Sequence, residues 1–318
     1  MRPVNNRKVA IVGCGFVGAA SAFCLMESGA FSEIVLIDSN HDKAEGEALD
    51  IGHGLPYAKP MKIYAGSYDD ITDAAIIIVT AGSGQKVGET RLDLVKRNVE
   101  IFKGIMPEIS KRRPAGILLI VSNPVDILTY VAAKLSGLPE NRVFGSGTVL
   151  DTARLKYLLG EHLGVDSRRV HAFIIGEHGD SEIPVWSSAN VSGVPLNDFC
   201  EMRGHYKHEE AMHEIAEGVK NSAYEIIEKK QATYYGVAMA VRNICEAIAG
   251  DQKAILPVSF VQKGLYGISD VALSVPAIIG KDGIETPIAI SLSEDEKAAL
   301  KTSGETLKQV LNNEINIY

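Results

Sequence analysis

Residues 8–28, KVAIVGCGFVGAASAFCLMES, run from a short β-branched stretch into a helix-like one through Gly13, Gly15 and Gly18. G-x-G-x-x-G in that setting severely limits what the chain can fold into. The first glycine allows a tight turn, the second lets a pyrophosphate approach the backbone, and the third lets helix and strand pack closely. The helix start then offers unpaired N–H groups and the positive end of its dipole to phosphates. Alone, the spacing is a weak signal. Here the next apolar run, EIVLID, ends at Asp38, twenty residues past Gly18, where a carboxylate can accept from both ribose hydroxyls of an adenosine. The bland alternative is that Asp38 only caps the next helix. Ser39, Asn40 and His41 follow it, with no arginine to meet a 2′-phosphate, so the pattern favours NAD over NADP.

The runs KIYAG, AAIIIVTAG and GILLIVSNP continue the series, separated by polar and helical segments such as Leu92 to Lys111. Apolar strands alternating with helices indicate an α/β fold, here a Rossmann-type doubly wound parallel sheet. After about Ser146 the pattern changes. A long helix, LDTARLKYLLGEHLG, leads to a strand ending in IIGEHGD, and two further helices follow (about His205 to Lys230, and YGVAMAVRNICEAIAG). AILPVSFVQKG and DVALSVPAIIG read as antiparallel strands before a last amphipathic helix. The expected division is a nucleotide-binding domain over 1–147 and a mixed α/β (α+β) domain over 148–318 for substrate binding and oligomerisation.

Composition excludes several classes. A net charge of −8 argues against a nucleic-acid surface. Cys14, Cys24, Cys200 and Cys245 are scattered, without CxxC or zinc-like spacing, which suits a reducing compartment. The first apolar run imitates a signal peptide or membrane anchor, but it carries three glycines, is followed at once by Glu27, and is repeated in kind by EIVLID. The expectation is a cytoplasmic protein that does not bind membranes. HEEAMH (His208 to His213) imitates a zinc-protease helix, yet its histidines stand five apart rather than four and so fall on different faces. No metal site is expected.

His178, in IIGEHGD, stands between two carboxylates and is fenced by glycines. It reads as a catalytic acid/base or as a loop histidine held by its neighbours, and the heptapeptide alone favours the second. Asp151 stands three residues after Thr148, as in a capping box, and three before Arg154, as in an intrahelical ion pair.

Taken together, VGCGFVG, GQKVGETRLDLVKRN, VSNPVDILTY, GSGTVLDTARLKYLLGEHL and IIGEHGD resemble the lactate/malate dehydrogenase family over essentially the whole chain, and within it the bacterial L-lactate dehydrogenases most. The resemblance implies reversible hydride transfer between NADH and pyruvate, the end step of fermentative glycolysis. His178 would pass a proton to and from the substrate oxygen, with Asp151 fixing its tautomer. Arg154 would grip the substrate carboxylate with a planar fork that lysine lacks. Asn123 would hold the carbonyl end, and Thr233 would line the pocket. Arg91 lies in AGSGQKVGETR, which in the family closes over the substrate and carries the arginine in to polarise the carbonyl. Further cofactor contacts implied by position are Val17, Lys43, Tyr68, Gly82, Ser83, Val121, Ser122, Asn123 and Ser146.

Gln85 bears on substrate choice, because malate dehydrogenases typically carry an arginine at the matching position. A neutral glutamine leaves the second carboxylate of oxaloacetate unpaired, at a cost of several kcal/mol in a closed site. The resemblance also implies a homotetramer activated by fructose 1,6-bisphosphate, held between subunits by Lys156 and His171. Here lysine replaces the commoner arginine. The chain starts a few residues before its first strand, whereas vertebrate relatives carry a longer arm that embraces a neighbour, so the tetramer is expected to depend on the effector. The competing readings are a malate or other 2-hydroxyacid dehydrogenase, a non-catalytic NAD-binding sensor and, more remotely, an NAD-dependent glycosidase.

Overall fold

The computed structural model describes residues 4–84 and 90–315. The apolar runs of the first half become strands, joined by a further short one, and all but the edge strand β3 are buried in the sheet: β1 (Asn5–Val12), β2 (Glu33–Ile37), β3 (Lys62–Ala65), β4 (Ala74–Val79), β5 (Ile117–Ile120) and β6 (Val143–Gly145). Between them lie α1 (Phe16–Ser28), α2 (His41–Gly52), α3 (Arg91–Arg112) and α4 (Val125–Leu135). The strand order is β3-β2-β1-β4-β5-β6, all parallel, with the crossover reversing beside β1. The crevice at such a reversal, outside the carboxyl ends of the strands, is where this architecture binds ligands. Local chemistry sets the helix limits. Asn40 caps α2 by accepting from the Lys43 N–H, Thr90 and Asp93 form a capping box on α3, and Gly29 ends α1 in the left-handed region.

The second half runs α5 (Val149–Leu163), β7 (Val170–His171), β8 (Ile174–Gly176), β9 (Glu182–Pro184), β10 (Asn190–Val191), β11 (Val194–Pro195), α6 (Leu196–Met202), α7 (His208–Lys230), α8 (Tyr235–Ala249), β12 (Ala254–Lys263), β13 (Ser269–Gly280), β14 (Gly283–Pro287) and α9 (Glu294–Glu314). It forms no parallel sheet. β12 pairs antiparallel with β6 at Ser259↔Gly145, and β13, β8 and β9 extend the same sheet, with β14 on the side of β13. One large apolar core therefore spans both halves, and a smaller one, including Leu155, Leu159, Val170 and Val219, lies between α5, α6, α7 and β7. Among the described residues no helix is long and apolar enough to cross a membrane.

Candidate active site

The glycine turn and the strand ends form a cleft of about 570 Å³ lined by Gly13, Gly15, Asp38, Lys43, Tyr68 and Gly82. The glycines differ in what holds them. A Cβ on Gly18 would lie 1.9 Å from the Gly13 carbonyl oxygen and 2.8 Å from Thr80 Oγ1, so the protein's own packing excludes a side chain there. A Cβ on Gly15 would meet no atom within 4 Å. That glycine is explained by room for a group brought against the backbone, which fits a dinucleotide pyrophosphate. Asp38 accepts from the N–H groups of Cys14 (2.7 Å) and Asn40 (2.9 Å). Burial pushes its carboxyl up, but these bonds and the Lys43 charge outweigh it and keep the group below the usual range. It stays an acceptor with lone pairs to spare for ribose hydroxyls.

A second cavity, of about 220 Å³, opens between the halves, lined by Asn123, Asp151, Arg154, His178, Glu182 and Lys220 among others. His178 Nδ1 lies 2.5 Å from Asp151 Oδ2, and Arg154 donates to Asp151 Oδ1 at 2.8 Å. Asp151 is almost wholly buried. Burial raises its carboxyl, yet His178 and Arg154 together bring it below the ordinary value. As a carboxylate it can only accept, so Nδ1 carries a proton and Nε2 is left for substrate. For His178, burial disfavours charge, but the Asp151 charge and hydrogen bond, with Asp126 and Glu182 adding, raise the imidazole to about 9.

Thr148 caps no N–H group of α5; its hydroxyl donates instead to the Ile174 carbonyl at 2.5 Å. The capping-box reading of Asp151 is therefore wrong, and the ion-pair reading is incomplete, since the same carboxylate serves the histidine. The loop that carries His178 is pinned from three sides. Its N–H donates to Asp126 Oδ2 (2.8 Å), Asp126 Oδ1 accepts from Ser259 Oγ (2.5 Å), and the Glu177 N–H donates to Ser303 Oγ (3.0 Å). Burial lifts Asp126 to about 6 against the hydrogen bonds and the His178 charge that lower it. Sequence reasoning missed Asp126, although it stands in the quoted stretch VSNPVDILTY, and it missed the buried Glu182.

Asn98 ties the two ligand regions together: it accepts from the Ser83 N–H (2.8 Å) and donates to the Asn123 carbonyl (2.7 Å). Not every expected residue faces a cavity. Val17, Val121, Ser122 and Ser146 do not line the cleft, and the Ser122 hydroxyl is used internally, donating to the Ala81 carbonyl at 2.6 Å. Thr233 is half-buried beside the second cavity's helix but does not line that cavity, while its neighbour Tyr234 stacks on Phe16. Gln85 lies outside the described residues, as does the Arg91 side chain. Lys156 lines a separate cavity of about 230 Å³ with Thr152, Phe173, Asn243 and Pro257; His171 is exposed on β7 and does not line it. Among the described residues no group of His, Cys, Asp and Glu is arranged to hold a metal.

Two family models match the chain. One describes the lactate/malate dehydrogenase NAD-binding domain and covers residues 7–145; the other describes the α/β C-terminal domain of the same family and covers residues 148–317. An L-lactate dehydrogenase of Acetivibrio thermocellus is 54% identical over 310 residues, covering 96% of this chain and 98% of its own length. One of Thermoanaerobacter sp. is 53% identical over 304 residues, covering 96% and 98%. Among solved structures, a lactate dehydrogenase from a deep-sea metagenome library superposes with a TM-score of 0.93 at 45% identity, over 98% of this chain and 99% of that one. The minor L-lactate dehydrogenase of Enterococcus mundtii does so with the same score and identity over 96% and 98%. With the glycine cleft, the ionised Asp38 and the buried Asp151–His178 pair, these likenesses make the chain an NAD-dependent oxidoreductase of the lactate/malate dehydrogenase family.

Proposed function

We propose that this protein is an L-lactate dehydrogenase that interconverts pyruvate and L-lactate. The observation that carries the reading is the Asp151–His178–Arg154 constellation on the wall of a cavity sized for a small 2-oxo acid. NADH, when bound, supplies the hydride to the carbonyl carbon. Arg154 holds the substrate carboxylate with the N–H groups that Asp151 does not use. His178 donates the Nε2 proton to the carbonyl oxygen as negative charge grows there, and Asp151 stabilises the imidazolium before and the tautomer after transfer. Asn123 and Arg91 act on the same oxygen. Asp126, Ser259 and Ser303 keep the histidine from drifting, because a misplacement of about 1 Å costs about a hundredfold. Gly13, Gly15, Gly18, Asp38, Lys43, Tyr68 and Gly82 hold the dinucleotide; Val17, Ser83, Val121, Ser122 and Ser146 support that cleft or touch the cofactor through backbone atoms.

Gln85 supports pyruvate over oxaloacetate for the charge reason given above. Loss of NADH absorbance with each acid tests it. Faster turnover on pyruvate is expected, and faster turnover on oxaloacetate would overturn the assignment. NADH binding without turnover of either would favour the sensor. Fructose 1,6-bisphosphate is the proposed activator, through Lys156 and His171 in a homotetramer, and an activation curve unchanged by Lys156→Ala with His171→Ala would refute that site. Exposed Phe23, Tyr57, Tyr157, Tyr235, Met239 and Ile255 support self-association. Four unpaired cysteines support a cytoplasmic location, and the fermentative role rests on the pyruvate reading alone.

A further inference from the structure

Glu182 is a buried, charge-bearing part of the substrate cavity's wall to which the chemistry above gives no work. It opens β9 opposite Gly176, is only 7% exposed, and lines the cavity beside Arg154 and His178. Among the described residues, nothing donates a hydrogen bond to its side chain. A carboxylate so placed has only the cavity to hydrate it, which disfavours its charged form.

The charges around it can be followed element by element. From α5 come Asp151 and Arg154, from the β8–β9 loop His178 and Asp180, and from α7 Lys220. Asp126 on α4 lies behind the histidine, with both oxygens engaged. Glu296 on α9, which also packs on β9, is committed to Ser187 and Ser293. Among the described residues of the lining, Arg154, His178 and Lys220 stand on the positive side and Asp151 and Asp180 on the negative one. An ionised Glu182 would add a further carboxylate to that wall and repel the incoming one, with no hydrogen-bond donor among the described residues to offset it. Burial, followed by the nearby Asp151 charge, raises the Glu182 carboxyl, while His178, Arg154 and Lys220 oppose the rise.

We propose that the site admits a 2-oxo acid only with Glu182 in its neutral, protonated form alongside protonated His178, so that alkaline binding takes up two protons rather than one. The inference rests on the dehydrogenase reading and names a second proton-linked group in the same site. A neutral Glu182 is also a donor, able to turn its O–H toward the substrate carboxylate.

The test is calorimetric titration of the enzyme–NADH complex with oxamate, the amide analogue of pyruvate, from about pH 6 to about pH 10 in two buffers of different ionisation enthalpy. The parent should take up close to two protons per oxamate at the alkaline end, and its affinity should fall there by about a hundredfold per pH unit. Glu182→Gln, neutral at every pH, should take up at most one and show about a tenfold fall. Glu182→Asp, which still titrates, should keep uptake above one. A parent that never exceeds one proton overturns the proposal whatever the variants do, as does a Glu182→Gln enzyme matching a two-proton parent. A parent–NADH complex that neither binds oxamate nor turns over pyruvate would overturn the dehydrogenase reading itself.

Discussion

Asp151→Asn removes the largest of the charges that hold His178 ready to donate. The parent imidazole lies at about 9 instead of the ordinary 6.5, a preference for the charged form of about 3 kcal/mol. The sign follows directly: a raised histidine stays protonated until the pH climbs through about 9, so pyruvate reduction should hold across neutrality and fade in alkali. Asparagine has the shape of aspartate but no charge, and burial then acts unopposed by it, moving the imidazole to about 6.5 or below. At about pH 8 the charged fraction drops from nearly all to about 3%, a loss of about thirtyfold from protonation alone. The amide can also donate to Nδ1 and select the wrong tautomer, bringing the total to about 10²–10⁴. Initial rates of NADH loss, recorded from about pH 5.5 to about pH 10, separate the two effects, since acid restores protonation but not the ring orientation that the Asp151 carboxylate imposes. An Asp151→Asn enzyme with its alkaline limit still near 9, or slowed less than about threefold at pH 8, would refute the reasoning.

Gly18→Ala should fail in a different way, because its methyl would lie 1.9 Å from the Gly13 carbonyl oxygen; NADH affinity, read by fluorescence titration, should drop at least about tenfold or the protein should lose stability on the overpacking scale of about 1–3 kcal/mol. Arg154→Lys keeps the charge and loses the fork, so kcat/KM for pyruvate should fall by about a hundredfold or more, with KM carrying part of it. Asp126→Ala strands the Ser259 hydroxyl and the His178 N–H, and denaturant unfolding should show a loss of about 2–6 kcal/mol from two buried unsatisfied groups.

The parts of the fold written in contiguous residues are legible in the sequence. β1, α1 and β2 follow from the run of apolar residues, the glycine spacing and Asp38, and α3, α8 and α9 from their helical periodicity. β6 and β9 are three residues each, too short to show a period, and their place depends on partners far along the chain. Asp126 eludes a local reading for the same reason. It meets His178 across 52 residues and Ser259 across 133, so nothing next to it in the sequence marks it as buried. Thr148 shows the reverse error, in which a correct local pattern loses to a tertiary hydrogen bond 26 residues away. Glu182 follows Asp180 and Ser181 in a polar stretch, and a carboxylate there reads as solvent-facing until the cavity is seen.

The single pairing of Gly145 with Ser259 has a consequence for how such a chain can be divided. It makes the two halves one sheet, and Ser259, one member of that pairing, is also the residue whose hydroxyl steadies Asp126. A scission between residues 147 and 148 would leave β6 with a naked edge and Val143 and Phe144 uncovered, inviting aggregation rather than releasing a portable nucleotide-binding module. Heating should accordingly melt both halves in one transition. Evolution can recombine such a chain only as a whole, because the strand that completes the first half is supplied from within the second.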